Sequence, residues 1–127
     1  MHELTATQEL VATAVEQARL AGAGRVTDVW LEIGSLSTIT EEAVRFYWPG
    51  IARGTTAADS RLHVELVPGL ISCRTCGLRG AADDLPICSA CGSPDVSVVQ
   101  GGVCRLSAID IEAAVVPGPW EVHAGTS

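Results

Sequence analysis

Between Cys73 and Cys91 the chain reads Cys73-Arg-Thr-Cys76, eleven further residues, then Cys88-Ser-Ala-Cys91. Two CxxC knuckles at this separation can aim four thiolates at one point, tetrahedrally and about 2.3 Å from a zinc ion. A glycine follows each pair at once, Gly77 and Gly92, where the turn calls for one, and Pro86 and Pro94 stiffen the connections. The stretch from Leu78 to Ile87 holds too few apolar residues to build a core of its own. Metal must therefore hold it together, and a structural zinc contributes roughly 10–16 kcal/mol to so small a lobe. A disulfide framework would suit a secreted chain, but Met1-His2-Glu3 opens without the basic region or apolar segment of a signal peptide. Thioredoxin-like redox chemistry would use one CxxC and leave the second without a purpose. Rubredoxin-like iron takes the same four ligands, so spacing leaves zinc and iron both open, with zinc preferred.

The remainder must supply an ordinary core. With 127 residues, 47% hydrophobic and 18% charged, the chain is expected to be globular, one small domain with a metal lobe attached. No apolar run approaches the roughly eighteen residues of a membrane span, and the expectation is a soluble, cytoplasmic protein. The net charge of −7 argues against gripping nucleic acid, the usual task of a zinc ribbon, because phosphate neutralisation needs a basic face. All eight basic residues are arginines. Without lysine there is no P-loop lysine, no Schiff base and no lysine general base.

Taken in order, Met1-His2 places a terminal amine, the following amide nitrogens and an imidazole close enough to chelate one divalent ion, in a nitrogen-rich geometry that suits Ni(II) or Cu(II). The amine is expected to be that of Met1, since His2 is too large for the initiator methionine to be trimmed. A solvated terminus with an incidental histidine is the other reading, and the dipeptide alone does not choose. Apolar residues at helical spacing predict an amphipathic helix from Leu4 to Ala21, with Thr5 and Gln8 as a capping box and Gly22 and Gly24 at its end. Alternation over Val26 to Ile33 predicts a strand. Thr38 and Glu41 offer a second capping box for a helix from Ile39 towards Trp48, which Pro49-Gly50 should end or kink. Its aromatics, Phe46 and Tyr47 included, read as core. Leu62 to Leu66 is a second strand, with His63 as an exposed strand histidine. Val96 to Val99 and Val103 to Glu112 return as strand, the latter with the imperfect alternation of a bulge at Cys104, Leu106, Ile109 and Ile111. Cys104 reads as a buried thiol. Residues 113–127, rich in proline, glycine and small side chains, are expected to form a mobile tail.

Together these residues resemble a known family. Met1-His2-Glu3-Leu4, Glu32-Ile33-Gly34-Ser35-Leu36-Ser37, Arg53-Gly54-Thr55, the paired CxxC motifs and Gly102 to Glu112 are similar to the HypA/HybF family of hydrogenase nickel-incorporation proteins. The resemblance implies an α+β fold: a three-stranded sheet packed with two helices, carrying an inserted four-cysteine zinc-ribbon lobe. Residues 1–67 and 103–112 would form the nickel-binding unit and 68–102 the zinc-binding lobe. It implies a metallochaperone without catalytic turnover that binds Ni(II) transiently through Met1, His2 and Glu3 and keeps structural Zn(II) at Cys73, Cys76, Cys88 and Cys91. Its implied partners are a HypB-type GTPase and the large-subunit precursor of a [NiFe]-hydrogenase; a homodimer is compatible with it. From the residues alone, a zinc-ribbon interaction module with incidental nickel binding, or a rubredoxin-like electron carrier, also stands.

Overall fold

The computed structural model describes residues 2–82, 85–112 and 114–122. Helix α1 (His2–Leu20) turns Ala6, Leu10, Val11, Ala14 and Ala18 inward at three- and four-residue spacing. It starts before the expected capping box, so Thr5 lies within the helix. The first turn is braced in other ways: the Thr7 hydroxyl donates to the Glu3 carbonyl at 2.6 Å, and the Glu3 carboxylate accepts from Thr40 Oγ1 at 2.9 Å. At the other end the Gly22 and Ala23 amides donate back to the Arg19 and Ala18 carbonyls, the double closure that satisfies two orphan acceptors.

Strand β1 (Val26–Gly34) buries Val29, Leu31 and Ile33 against the helices. Helix α2 (Glu41–Ala52) is capped by Thr40, not Thr38, whose side chain accepts from the Ala43 amide. Pro49 neither ends nor breaks α2, which runs on to Ala52. The buried stripe is Val44, Trp48 and Ala52, while Pro49 and Gly50 face solvent, where water can satisfy the Arg45 carbonyl that proline leaves without a donor. Phe46, expected in the core, is 76% exposed. It lies beside Tyr47 in an edge-to-face contact with ring centroids 5.1 Å apart.

The chain crosses through α2 to β2 (Arg61–Val67), which pairs parallel to β1. Strand β3 (Gly69–Cys73) follows after a single residue, then β4 (Arg79–Ala82) and β5 (Val96–Gln100). Strand β6 (Cys104–Ile111) returns antiparallel to β1, burying Cys104, Leu106, Ile109 and Ile111, with the expected irregularity at its middle. Strand β7 (Ala114–Val122) pairs antiparallel with β6. The large sheet therefore has four strands, ordered β2-β1-β6-β7, where three were expected, and the fourth comes from the segment expected as a mobile tail. An edge position explains how a strand containing Pro117 and Pro119 pairs at all, since an edge leaves one side free of donors. Half-buried Trp120 packs on the main core.

Strands β4-β3-β5 make a second, antiparallel sheet. Where it meets the first, Gly34 N donates to Val103 O and Leu36 N to Gly101 O, at 2.9–3.0 Å, and the Leu36 side chain packs on the core of the small sheet. The main chains of Gly34 and Gly101 touch, and a Cβ on Gly34 would lie 2.1 Å from the Gly101 oxygen.

Candidate metal centre

The two knuckles repeat one hydrogen-bond pattern. Cys73 N donates to Leu78 O and Gly77 N returns to Cys73 O; Cys88 N donates to Ser93 O and Gly92 N returns to Cys88 O, all at 2.8–3.0 Å. Gly77 and Gly92 sit at φ of +80° and +76°, a conformation that a Cβ disfavours, which accounts for a glycine after each CxxC. The knuckles are also tied to each other. Arg74 N donates to Asp95 O, the Arg74 guanidinium pairs with the Asp95 carboxylate at 2.9 Å and bonds Ser97 Oγ, and Thr75 and Ser93 hydroxyls meet at 2.8 Å.

This brings the sulfurs of Cys73, Cys76, Cys88 and Cys91 within 4.8 Å of one another. Cys73–Cys91 and Cys76–Cys88 are 3.7 and 3.6 Å apart. The edge of a tetrahedron with metal–sulfur bonds of 2.3 Å is about 3.8 Å, so the donor set fits a closed four-thiolate site, and all five cysteines are free thiols. Cys73 and Cys88 are buried with Ile71 and Ala82, and Leu36 and Val96 pack against them. Half of this small core is thus metal-ligand sulfur.

Electrostatics within the cluster are uneven. Amides of Cys76 and Thr75 hold the Cys73 thiol down to about 6, and those of Cys91 and Ala90 lower Cys88. For Cys91 the Ser93 amide favours the thiolate, yet burial and the crowding of Cys73, Cys88 and Cys76 push it up to about 12. Cys73 is therefore the sulfur most disposed to be a thiolate, Cys88 is shifted in the same direction, and a dication among the four favours deprotonation of the rest. Cys104 is elsewhere, buried in β6, with burial raising it to about 11, as an inert thiol should be.

At the N-terminus, His2 is the first residue of α1, and Glu3 is held against the α2 cap by Thr40. First-turn amides of a helix have no intrahelical acceptor, so the nitrogens at this end are not committed to the helix ladder. Met1 and the His2 side chain lie outside the described residues.

A third constellation was not anticipated. His63, expected as an exposed histidine, is half-buried, with Nε2 2.8 Å from Asp28 Oδ1 and its ring stacked on Trp30 at 4.1 Å and 16°. Arg61 Nε and NH2 donate to the same carboxylate at 3.0 and 3.3 Å. His63 first, then Arg61 and Thr27, lower the Asp28 carboxyl against the opposing effect of burial. The parallel register of β1 and β2 sets Trp30 opposite His63 and Asp28 opposite Arg61, a pairing no local motif announces.

Comparison with known proteins accords with this architecture. The family described as "Hydrogenase/urease nickel incorporation, metallochaperone, hypA" matches residues 1–111. A hydrogenase maturation factor HypA from Chlorobium limicola is 37% identical over 114 residues, covering 88% of this chain and 97% of that protein. One from Moorella thermoacetica is 38% identical over 102 residues, 80% of this chain and 90% of that protein. In fold, the solution structure of the Ni metallochaperone HypA from Helicobacter pylori superposes with a TM-score of 0.66 at 22% identity, covering 89% of this chain and 99% of that one. With the two helices, the mixed sheet and the four-cysteine cluster in place, the chain belongs to the HypA family of nickel-incorporation metallochaperones.

Proposed function

We propose that this protein is a cytoplasmic, non-enzymatic nickel carrier that binds Ni(II) at its N-terminus and, with a HypB-type GTPase, delivers it to a [NiFe]-hydrogenase large-subunit precursor. Residues 1–67 and 103–112 carry the nickel site, with His2 and the adjacent nitrogens, including the Met1 amine, as donors and Glu3 assisting. Residues 68–102 hold structural zinc at Cys73, Cys76, Cys88 and Cys91. The observation that carries the reading is the family match across residues 1–111, which takes in both Met1-His2-Glu3 and the paired CxxC motifs. The chemistry of the two donor sets supports the division of labour. Four soft thiolates favour zinc and leave no open coordination position, whereas a nitrogen site on a helix terminus can be approached and emptied. The lysine-free chain lacks phosphate-binding machinery, consistent with a GTPase partner supplying it. Because the imidazole must be neutral to ligate, nickel affinity falls as pH drops through the histidine range.

The test is a calorimetric nickel titration of untagged, zinc-loaded protein beside His2→Ala and a variant with one residue added ahead of Met1. One nickel per chain in the parent, lost in both variants, is expected. Equal binding by all three, or by none, would overturn the N-terminal site and favour a zinc-ribbon interaction module.

A further inference from the structure

The large sheet and strand β5 of the small sheet enclose a cleft of about 740 Å³. Glu32, Glu65 and Arg105 line it from the large sheet, and the run from Val98 to Val103 from the other side. Of that run Val98, Val99 and Gln100 belong to β5, which carries a register shift at Val99, and its second edge borders this side of the fold. β5 pairs with β3 on one side and with no other strand among the described residues. Its sequence, Val-Ser-Val-Val-Gln, has no charge and no proline, two of the devices that blunt a free edge, and Val98 and Val99 are 46% and 42% exposed.

The opposite wall carries an unresolved charge. Glu32 and Glu65 stand directly across from one another in the β1–β2 register, a like-charge pair that costs stability. Arg105 approaches Glu32 at 3.9 Å, while Glu65 has no ion-pair or hydrogen-bond partner among the described residues. A cation supplied from outside would complete the set. With a net charge of −7, a second copy of this chain is repelled and is a poor source of that cation.

We propose that this cleft docks an extended basic–aliphatic segment of a partner protein. The segment adds to β5 as a further strand, lays aliphatic side chains on Val98 and Val99, and sets a lysine or arginine between Glu65 and Glu32. Main-chain bonds to the edge supply affinity and the carboxylates supply selectivity, the division of labour of strand addition. This docking does not depend on where nickel binds.

Zinc-loaded full-length protein titrated with a blocked heptapeptide alternating valine and lysine, followed by amide NMR shifts, tests it. Saturable shifts confined to β5 and the strands around Glu32 and Glu65 are expected. Affinity should fall at least tenfold in Glu65→Arg, an exposed position whose replacement leaves the core untouched, and at least tenfold when the peptide's lysines are replaced by glutamates. Of two peptides N-methylated on alternate amides, only the one with its β5-facing donors blocked should lose binding to the unaltered protein. Absence of saturable shifts at millimolar peptide, shifts spread over the acidic surface and indifferent to Glu65→Arg, or equal binding of both N-methylated peptides would each overturn the proposal.

Discussion

Replacing Gly34 by alanine probes the joint between the two sheets. The new Cβ would lie 2.1 Å from the Gly101 oxygen, 2.3 Å from its carbonyl carbon and 2.8 Å from its Cα, against an ordinary contact of at least 3.4 Å. The obstacle is backbone, so no rotamer change relieves it, and the strands must part by the difference. Two hydrogen bonds hold them at this point, Gly34 N to Val103 O and Leu36 N to Gly101 O. Each is worth about 1 kcal/mol net, and the overpacking itself costs about 1–3 kcal/mol, giving a destabilisation of about 3–5 kcal/mol. That is a large share of the roughly 5–15 kcal/mol that holds a domain together. Gly50→Ala is the matched control. It lies inside α2 with nothing within 4 Å of its added methyl, so the lower chain entropy of alanine should stabilise by about 0.5–1 kcal/mol. The same chemical change thus has opposite signs at two positions. Chemical unfolding of zinc-loaded protein, followed by far-ultraviolet circular dichroism, measures both. Stabilities of Gly34→Ala and Gly50→Ala agreeing within about 1 kcal/mol would refute the close backbone contact.

Two further outcomes follow from the metal and acid sites. Since two of the four buried residues of the small core are Cys73 and Cys88, stripping the metal with a strong chelator should abolish hydrogen-exchange protection in β3, β4 and β5 while leaving β1 and β6 protected; unchanged protection in the metal-free protein would show that the lobe holds itself. The lowered Asp28 carboxyl contributes stability that is complete above its unfolded value of about 3.9 and is lost as pH falls through its folded value. Asp28→Asn should therefore cost about 1–3 kcal/mol at pH 7 and flatten the acid limb below about pH 4, and an acid limb as steep as the parent's would remove Asp28 as its source.

What was legible in the sequence was local. The cysteine spacing specifies a tetrahedron whatever the fold around it, and the glycines after each pair follow from the turn's own φ. Helix faces and the β6 irregularity are periodicities of the chain. The capping of α2 was legible in kind and misplaced by two residues, because two threonines precede the glutamates, whereas the Thr5–Gln8 box falls inside α1. Ser37 decides between them: its hydroxyl accepts from the Ile39 amide at 2.9 Å, holding residues 37–39 in a turn that buries Ile39, so that α2 begins only after Thr40.

The misread features depend on partners far along the chain. Pro117, Gly118 and Pro119 argue for an irregular tail, and they are compatible with β7 because β6 offers it an edge with a register shift between Leu106 and Ala108. Phe46 has the composition of core, but the stripe that α2 buries is set by Val44, Trp48 and Ala52, and Phe46 lies off it. His63 gains its partners only when β2 lies parallel to β1 in a particular register. Shifting that register by one residue would turn His63 away from Asp28 and Trp30 and bring Leu62, Val64 and Leu66 to the opposite face. The pairing is therefore fixed by which face the core requires, and the Asp28–His63–Trp30 cluster is a consequence of burying Val29, Leu31 and Ile33.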